Sequence, residues 1–217
     1  MLELAPAPEP TLDNFHPGGN ATIPDLMSAT LGGSHPVLYL WGLPGSGKSH
    51  LLRAATGAAR SRGLKALYLQ TENLAAIGEP DLLTVDDVDA LSATAQIALF
   101  DAFNRMRATG GVIVASGAVP PTDLRLREDL RTRIASGVVT QLHPLSEDEK
   151  RAVLAAHAIQ LGLELGPEIL DTLIARFARD LGSLIAAINA LDRHSLRTKR
   201  PITLPLLREL MRVKAGE

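Results

Sequence analysis

Residues 42 to 49, Gly-Leu-Pro-Gly-Ser-Gly-Lys-Ser, follow the apolar run Val37–Trp41 and carry the pattern G-x-x-x-x-G-K-[ST]. That pattern has a physical purpose. Gly42 and Gly47 let backbone N–H groups turn inward onto phosphate oxygens, Lys48 neutralises charge, and the Ser49 hydroxyl ligates magnesium. Pro44, Gly45 and Ser46 complete the loop and His50 follows it, so residues 42 to 50 are the expected cofactor-binding stretch. The expected ligand is a nucleotide polyphosphate with Mg2+.

Such a loop needs an acidic strand end to orient the metal. Leu82-Leu83-Thr84-Val85-Asp86-Asp87 supplies mostly apolar residues and then two carboxylates. Asp86 is expected to face the metal through water, and Asp87 to orient an attacking water. Read without the loop upstream, the pair is a strand capped by solvated acids. Asp87 is shorter than the glutamate that many P-loop ATPases place here, so slow intrinsic hydrolysis is expected. Another apolar run ends in Ala115-Ser116-Gly117. Ser116 either holds the attacking water or the γ-phosphate, or is satisfied by its own backbone. No histidine falls in a metal-ligand spacing and no Ser-His-Asp logic is present.

These groups must be held by strands and helices in a set order. Short runs rich in β-formers, Val37–Trp41, Ala66–Gln70, Leu82–Asp86, Val112–Ser116 and Val138–Leu142, alternate with segments of helical period. Each run is nearly continuous in apolar character, as expected for strands buried on both faces of a parallel sheet. Helices are expected near Ser49–Ser61 and Ala93–Arg107, the second burying Leu99, Phe103 and Met106 with Phe100 beside them.

From His143-Pro144-Leu145 onward the pattern is purely helical. Ser146 with Glu149 forms a capping box, followed by a stripe of Val153, Leu154, His157 and Leu161. Gly166-Pro167 opens a helix with Ile169, Leu170, Leu173, Ile174 and Phe177 at helical spacing. A third carries Leu184, Ile188 and Leu191, and a short fourth starts near Pro205. The expected organisation is a Pro-rich tail over 1–11, an α/β nucleotide-binding domain over 12–143 and a helical domain over 144–217.

Composition excludes several classes. Hydrophobic residues make up 46% and charged residues 21%, ordinary for a globular chain, and the net charge of −2 gives no global attraction for polyanions. There is no cysteine, hence no disulfide frame or thiol nucleophile, which fits a reducing, cytoplasmic setting. The start MLELAPAPEP lacks the basic and apolar regions of a secretory signal, and no stretch approaches the ~20 apolar residues of a membrane span.

In this order the pieces resemble AAA+ ATPases of the DnaA-related family, in the branch of the regulatory inactivator Hda. The similarity covers almost the whole chain. Phe15-His16-Pro17-Gly18-Gly19-Asn20 resembles the family's segment before its first helix. Pro120-Pro121 and Leu130–Val139 resemble its arginine-finger region, and His143–Lys150 and Leu191–Ser195 its lid domain. The resemblance implies a five-stranded parallel P-loop sheet with flanking helices, followed by a small helical lid, with ATP or ADP and Mg2+ held where the two meet. It assigns Arg133 to the finger that points into a neighbour's nucleotide and Arg179 to the lid arginine that senses phosphate. Arg131 and Arg176 compete with them, and from the residues alone all four read as solvated surface.

Two departures shape the expected partners. The initiator continues past its lid into a DNA-reading domain, whereas this sequence stops near Lys214, so direct DNA binding is expected to be weak or absent. Hda begins with a clamp-binding peptide, of which Leu2-Glu3-Leu4-Ala5-Pro6 keeps little, so the sliding clamp is expected to bind poorly. The segment Leu74–Asp81 is short for the family. The expected function is stimulation of hydrolysis of ATP bound to the initiator DnaA, through Arg133 acting in trans. Two other readings stay open: a helicase-loader-like ATPase on single-stranded DNA, and a nucleotide-stabilised adaptor. A loader needs a basic groove or stacking aromatics; aromatics are only 3% of the chain, and Arg193, Arg197, Lys199 and Arg200 are its best basic cluster. Association with further copies of the chain is likewise open.

Overall fold

Short β-rich runs joined by segments long enough for a helical crossover lead to a parallel sheet, and one forms. The computed structural model describes residues 8–70, 78–177 and 181–207, with Arg176 and Phe177 described in backbone only. The strands are β1 (Val37–Trp41), β2 (Ala66–Leu69), β3 (Leu82–Val85), β4 (Val112–Gly117) and β5 (Val138–Gln141). They pair in parallel in the order β2-β3-β4-β1-β5. The chain divides between Pro144 and Leu145 into two units.

Side chains in a strand point alternately to opposite faces, and the core follows that alternation. Leu38, Leu40, Leu82 and Val114 pack against α1 (Ile23–Leu31) and α2 (Lys48–Ser61) through Ile23, Met27, Leu51 and Leu52. Tyr39, Leu83, Val85, Ile113 and Ala115 face the other way, against α3 (Ala93–Thr109) and α4 (Glu128–Ala135). Leu99, Phe103 and Met106 of α3 are buried there with Leu130 and Ile134 of α4. Each buried large side chain contributes about 1.5–3 kcal/mol.

The local signals explain the boundaries. Ser92 accepts the Ala95 N–H at the start of α3, and Gly110, at φ 76°, ends it two residues beyond the expected Arg107. A polar contact joins helix to sheet inside the core: the Thr56 hydroxyl of α2 meets that of Thr84 in β3 at 2.8 Å. Asn20 closes a longer loop. Its amide donates to the His143 carbonyl and accepts from the His143 N–H, both at 2.8 Å, fixing the segment before α1 to the chain after β5.

β5 departs from the expected burial. Among the described residues β1 is its only strand neighbour, and it alternates half-buried with exposed residues, Val139 being 38% exposed. An edge strand with incomplete cover cannot be dry on both faces, however apolar its sequence.

The second unit holds α5 (Glu147–Gln160), α6 (Pro167–Phe177) and α7 (Leu181–Thr198). The Ser146–Glu149 capping box forms in full. Leu154, Leu170, Leu173, Leu184, Ile188 and Leu191 make the core. Leu161 falls at the end of α5 and is 37% exposed, so the buried stripe runs through Leu154 and Ala158 instead. Arg151 joins Asp148 and Asp171, and His157 meets Asn189 at 2.8 Å, tying α5 to α6 and to α7. Helical structure resumes over residues 204–207. Among the described residues, no helix is long and apolar enough to cross a membrane.

Candidate functional site

The loop of residues 42 to 47 joins the end of β1 to the start of α2 and is shaped by close approach. A Cβ on Gly42 would lie 2.1 Å from the Leu142 carbonyl oxygen, so no larger residue fits. Gly47 caps α2 at φ 97°, a left-handed conformation that L side chains resist, and a Cβ there would press on the Phe15 ring at 3.0 Å. Gly47 has no side chain to cap the first N–H groups of α2, leaving them to a ligand. Pro44 and Gly45 are exposed at the tip of the loop.

Two buried polar groups mark the concavity. Lys48 is 8% exposed and its ammonium donates to the carbonyls of Gly42, at 2.7 Å, and Leu43, at 3.2 Å. One N–H of the ammonium remains for an anion. The Ser46 hydroxyl is buried with no hydrogen-bond partner among the described residues. An orphaned hydroxyl beside a buried cation and a bare helix start fits a phosphate chain. Ser49 is half-buried in the first turn of α2. His50 follows; its Nε2 meets the Thr11 carbonyl oxygen at 3.0 Å and its ring lies 5.9 Å from that of Phe15. Burial pushes the His50 imidazole below its ordinary range, the Thr11 carbonyl opposing in part.

β4 lies between β1 and β3, and this brings Ser116 to Asp86. Asp86 is 2% exposed. Its Oδ1 accepts from the Ser116 hydroxyl and its Oδ2 from the Tyr68 hydroxyl at 2.8 Å. The Ser116 oxygen also accepts the Asp87 N–H at 3.2 Å. Ser116 is therefore engaged by its neighbours across the sheet, not by its own backbone, and it orients the carboxylate. Asp87 takes left-handed angles, φ 51° and ψ 57°, where a non-glycine residue is strained and often functional. Burial holds its carboxyl above the usual carboxylate range, with Asp86 and Asp89 adding and Lys48 opposing.

Tyr68 is the residue that sequence reasoning missed. It pairs with Thr84 across β2 and β3, and the Arg53 guanidinium lies 5.2 Å from its ring centre. Nothing in the chain spacing relates Tyr68 to Asp86; the strand order does.

A Ser49 hydroxyl and an Asp86 carboxylate fit Mg2+, which prefers few protein ligands with phosphate and water completing its shell. Among the described residues no three His, Cys, Asp or Glu side chains gather as a metal cage.

Arg133 is far from these groups in the sheet. It lies in the last turn of α4, half-buried, its guanidinium 5.9 Å from the Phe100 ring centre. It lines a cleft with His35, Val37, Gly111 and Val138, at the starting ends of β1, β4 and β5. The phosphate loop follows the finishing end of β1, so the strand separates them by about 13 Å at about 3.3 Å per residue. Arg131 is also half-buried in α4, without a ring contact or ion pair among the described residues. Arg179 and Leu2–Pro6 lie outside the described residues, as do the Arg176 side chain and residues 74–77 of the segment Leu74–Asp81.

A parallel sheet of this strand order, a phosphate loop after β1, acids after β3 and a following helical unit define an AAA+ protein. The family model for the Hda lid domain matches residues 147–211. A Haemophilus influenzae protein described as uncharacterized is 32% identical over 216 residues, covering 93% of each chain. Domain III of the Thermotoga maritima replication initiation protein DnaA superposes with a TM-score of 0.74 at 22% identity, covering 94% of this chain and 96% of that one. AMPPCP-bound DnaA from Aquifex aeolicus gives 0.68 at 24% identity over 88% of this chain and 70% of its own. A Thermotoga maritima RuvB gives 0.65 at 18% identity over 95% and 72%. The chain is thus of one family with the Haemophilus influenzae protein, carries an Hda-type lid domain over residues 147–211, and shares the fold of the DnaA AAA+ domains.

Proposed function

We propose that the chain regulates replication initiation by binding an adenine nucleotide and presenting Arg133 to ATP held by the initiator DnaA. The observation that carries this reading is the placement of Arg133 a strand's length from its own phosphate loop, on an open face of α4. An arginine so placed cannot neutralise charge on the chain's own nucleotide. It can do so on a nucleotide bound to an adjoining AAA+ subunit.

In the chain's own site the N–H groups of residues 45–49 and the Lys48 ammonium hold the phosphates. Ser49 and Asp86 would hold Mg2+, which when bound would supply charge neutralisation at the phosphates. Ser116 and Tyr68 keep the Asp86 carboxylate in one orientation. Asp87 is short, strained and raised in pKa, which supports slow hydrolysis and a nucleotide that mainly sets the conformation of the protein. On the partner, the Arg133 guanidinium stabilises charge developing on the transferred phosphoryl group, a contribution of about 10³–10⁵ in rate for arginine fingers in trans. Support for DnaA as the partner comes from the lid-family match and from the DnaA folds to which the chain is similar.

The test is a single-turnover assay of ATP-loaded DnaA with the purified protein, with and without DNA-loaded sliding clamp. Stimulated hydrolysis supports the regulator. Salt-dependent binding of single-stranded DNA without any effect on DnaA transfers the reading to a loader-like ATPase, and neither effect leaves a nucleotide-stabilised adaptor. Deleting residues 1–8 is expected to change clamp affinity little.

A further inference from the structure

The α3 face beneath Arg133 carries a pair of residues that no motif assigns. Gln96 and Phe100 are four apart in α3 and therefore share one side of the helix. Gln96 uses both ends of its amide. Its Nε2 donates to the Leu91 carbonyl at 3.1 Å, in the turn after Asp87, and its Oε1 accepts the Arg127 N–H at 2.9 Å, where α4 begins. Arg127 is held in turn by Asp129, through Nε at 3.1 Å and Nη2 at 2.6 Å, and Asp129 also accepts the Leu130 N–H. One turn of α3 further on, the Phe100 ring lies under the Arg133 guanidinium. Leu130 and Ile134 are buried against the same helix, so α4 is fixed by apolar packing on one side.

We propose that Gln96 and Phe100 are positioning residues for Arg133, Gln96 by anchoring the first turn of α4 and Phe100 by holding the guanidinium. An arginine side chain has several rotatable bonds, and one left in solvent samples many poses. Catalysis in trans needs one of them, presented to the neighbour before it docks. The ring face restricts the guanidinium by attraction to its π-cloud while leaving its N–H edges open for phosphate oxygens. Gln96 fixes where the helix starts, and with it the rotation that puts residue 133, not residue 131, over the ring. The pair thus acts through Arg133 and touches no reacting atom. This inference rests on the regulator reading above.

The experiment uses the full chain with ATP-loaded DnaA and compares the natural protein with Arg133→Ala, Phe100→Leu, Phe100→Tyr and Gln96→Ala. Thermal midpoints establish that each variant folds. Phe100→Leu is expected to lower the maximal stimulated rate about two- to five-fold, the scale of an exposed ring–guanidinium contact, with the half-saturating concentration of protein unchanged. Phe100→Tyr, which keeps a ring, is expected to retain the natural rate, and Gln96→Ala to behave as Phe100→Leu does. Full stimulation by Phe100→Leu while Arg133→Ala is inactive overturns the positioning role alone. So does a loss in Phe100→Tyr equal to that in Phe100→Leu, which marks a packing role. Stimulation that survives Arg133→Ala, or is absent from the natural protein, overturns the regulator reading and the positioning role with it. The pose has its own readout in the NMR resonance of the Arg133 Nε–H. Phe100→Leu must shift it by removing the ring current and Phe100→Tyr must largely preserve it; no shift in Phe100→Leu overturns the contact.

Discussion

The loop after β1 and the helix before β5 each carry a cation, and the chain builds the surroundings of the two in different ways. Lys48 is 8% exposed and is bound by two carbonyls of its own loop. Around it Asp86, Ser116 and Tyr68 are joined by hydrogen bonds across three strands. Arg133 is half-buried on a short surface helix and rests on one ring. A site that must grip a ligand within the chain gains from burial, because low dielectric strengthens each contact and makes an unpaired group costly. A site that completes another molecule's chemistry must stay open and can be restrained only from beneath. The difference teaches where the cost of a substitution falls: removing a group from the first region disturbs a network, whereas removing the Arg133 side chain takes away one ring contact.

The largest expected effect tests that separation directly. Arg133→Ala is expected to lower stimulated hydrolysis of DnaA-bound ATP about 10³-fold or more. Its thermal midpoint and its own nucleotide affinity are expected to stay near those of the natural protein, since a half-buried side chain resting on one ring and joined to no buried network contributes little to stability. A matching loss of fold or nucleotide affinity would break the contrast between the two regions.

Lys48→Ala comes next. Loss of a charge-assisted hydrogen bond worth about 1.5–3 kcal/mol corresponds to a loss of about 10- to 100-fold in ADP or ATP affinity by calorimetry. Equal affinity in the variant would remove the phosphate site from the loop.

Asn20→Ala strips both hydrogen bonds that tie the segment before α1 to His143 and strands two peptide groups. Denaturant unfolding is expected to register a loss of about 1–3 kcal/mol. An unchanged midpoint would mean that water replaces the amide at no cost, and that the closure of this loop is weaker than that of the phosphate loop.

The smallest effect is expected for Arg131→Ala. It shares α4 with Arg133 but lacks the ring beneath it, so only part of the stimulation should be lost in the single-turnover assay, with stability within about 0.5 kcal/mol. A loss equal to that of Arg133→Ala would make the two arginines one unit and remove the distinction that Phe100 draws between them.

Contiguity decides how much of this could be read from the chain. The loop of residues 42 to 47 is a local object: Gly42 and Gly47 set its shape within a single turn between β1 and α2, so residue type and spacing suffice to expect that shape. The same holds for the Ser146–Glu149 capping box, for the strands and for the apolar faces of α3 and α6. The two acids after β3 were legible as a pair because the residues just past a strand end leave the sheet together. Tertiary structure alone decided which hydroxyls hold Asp86, since Tyr68 and Ser116 reach it only because β2, β3 and β4 lie side by side. It likewise decided that Asn20 closes on His143 across 123 residues, and that β5 is an edge with one wet face in spite of its apolar sequence. Above all it placed Arg133 at the opposite end of the strands from Lys48, over the ring of Phe100. Spacing along a chain specifies a turn of backbone; which side chains meet across a sheet depends on strand order and on the direction each residue points in the pleat, and these emerge only when the whole sheet assembles.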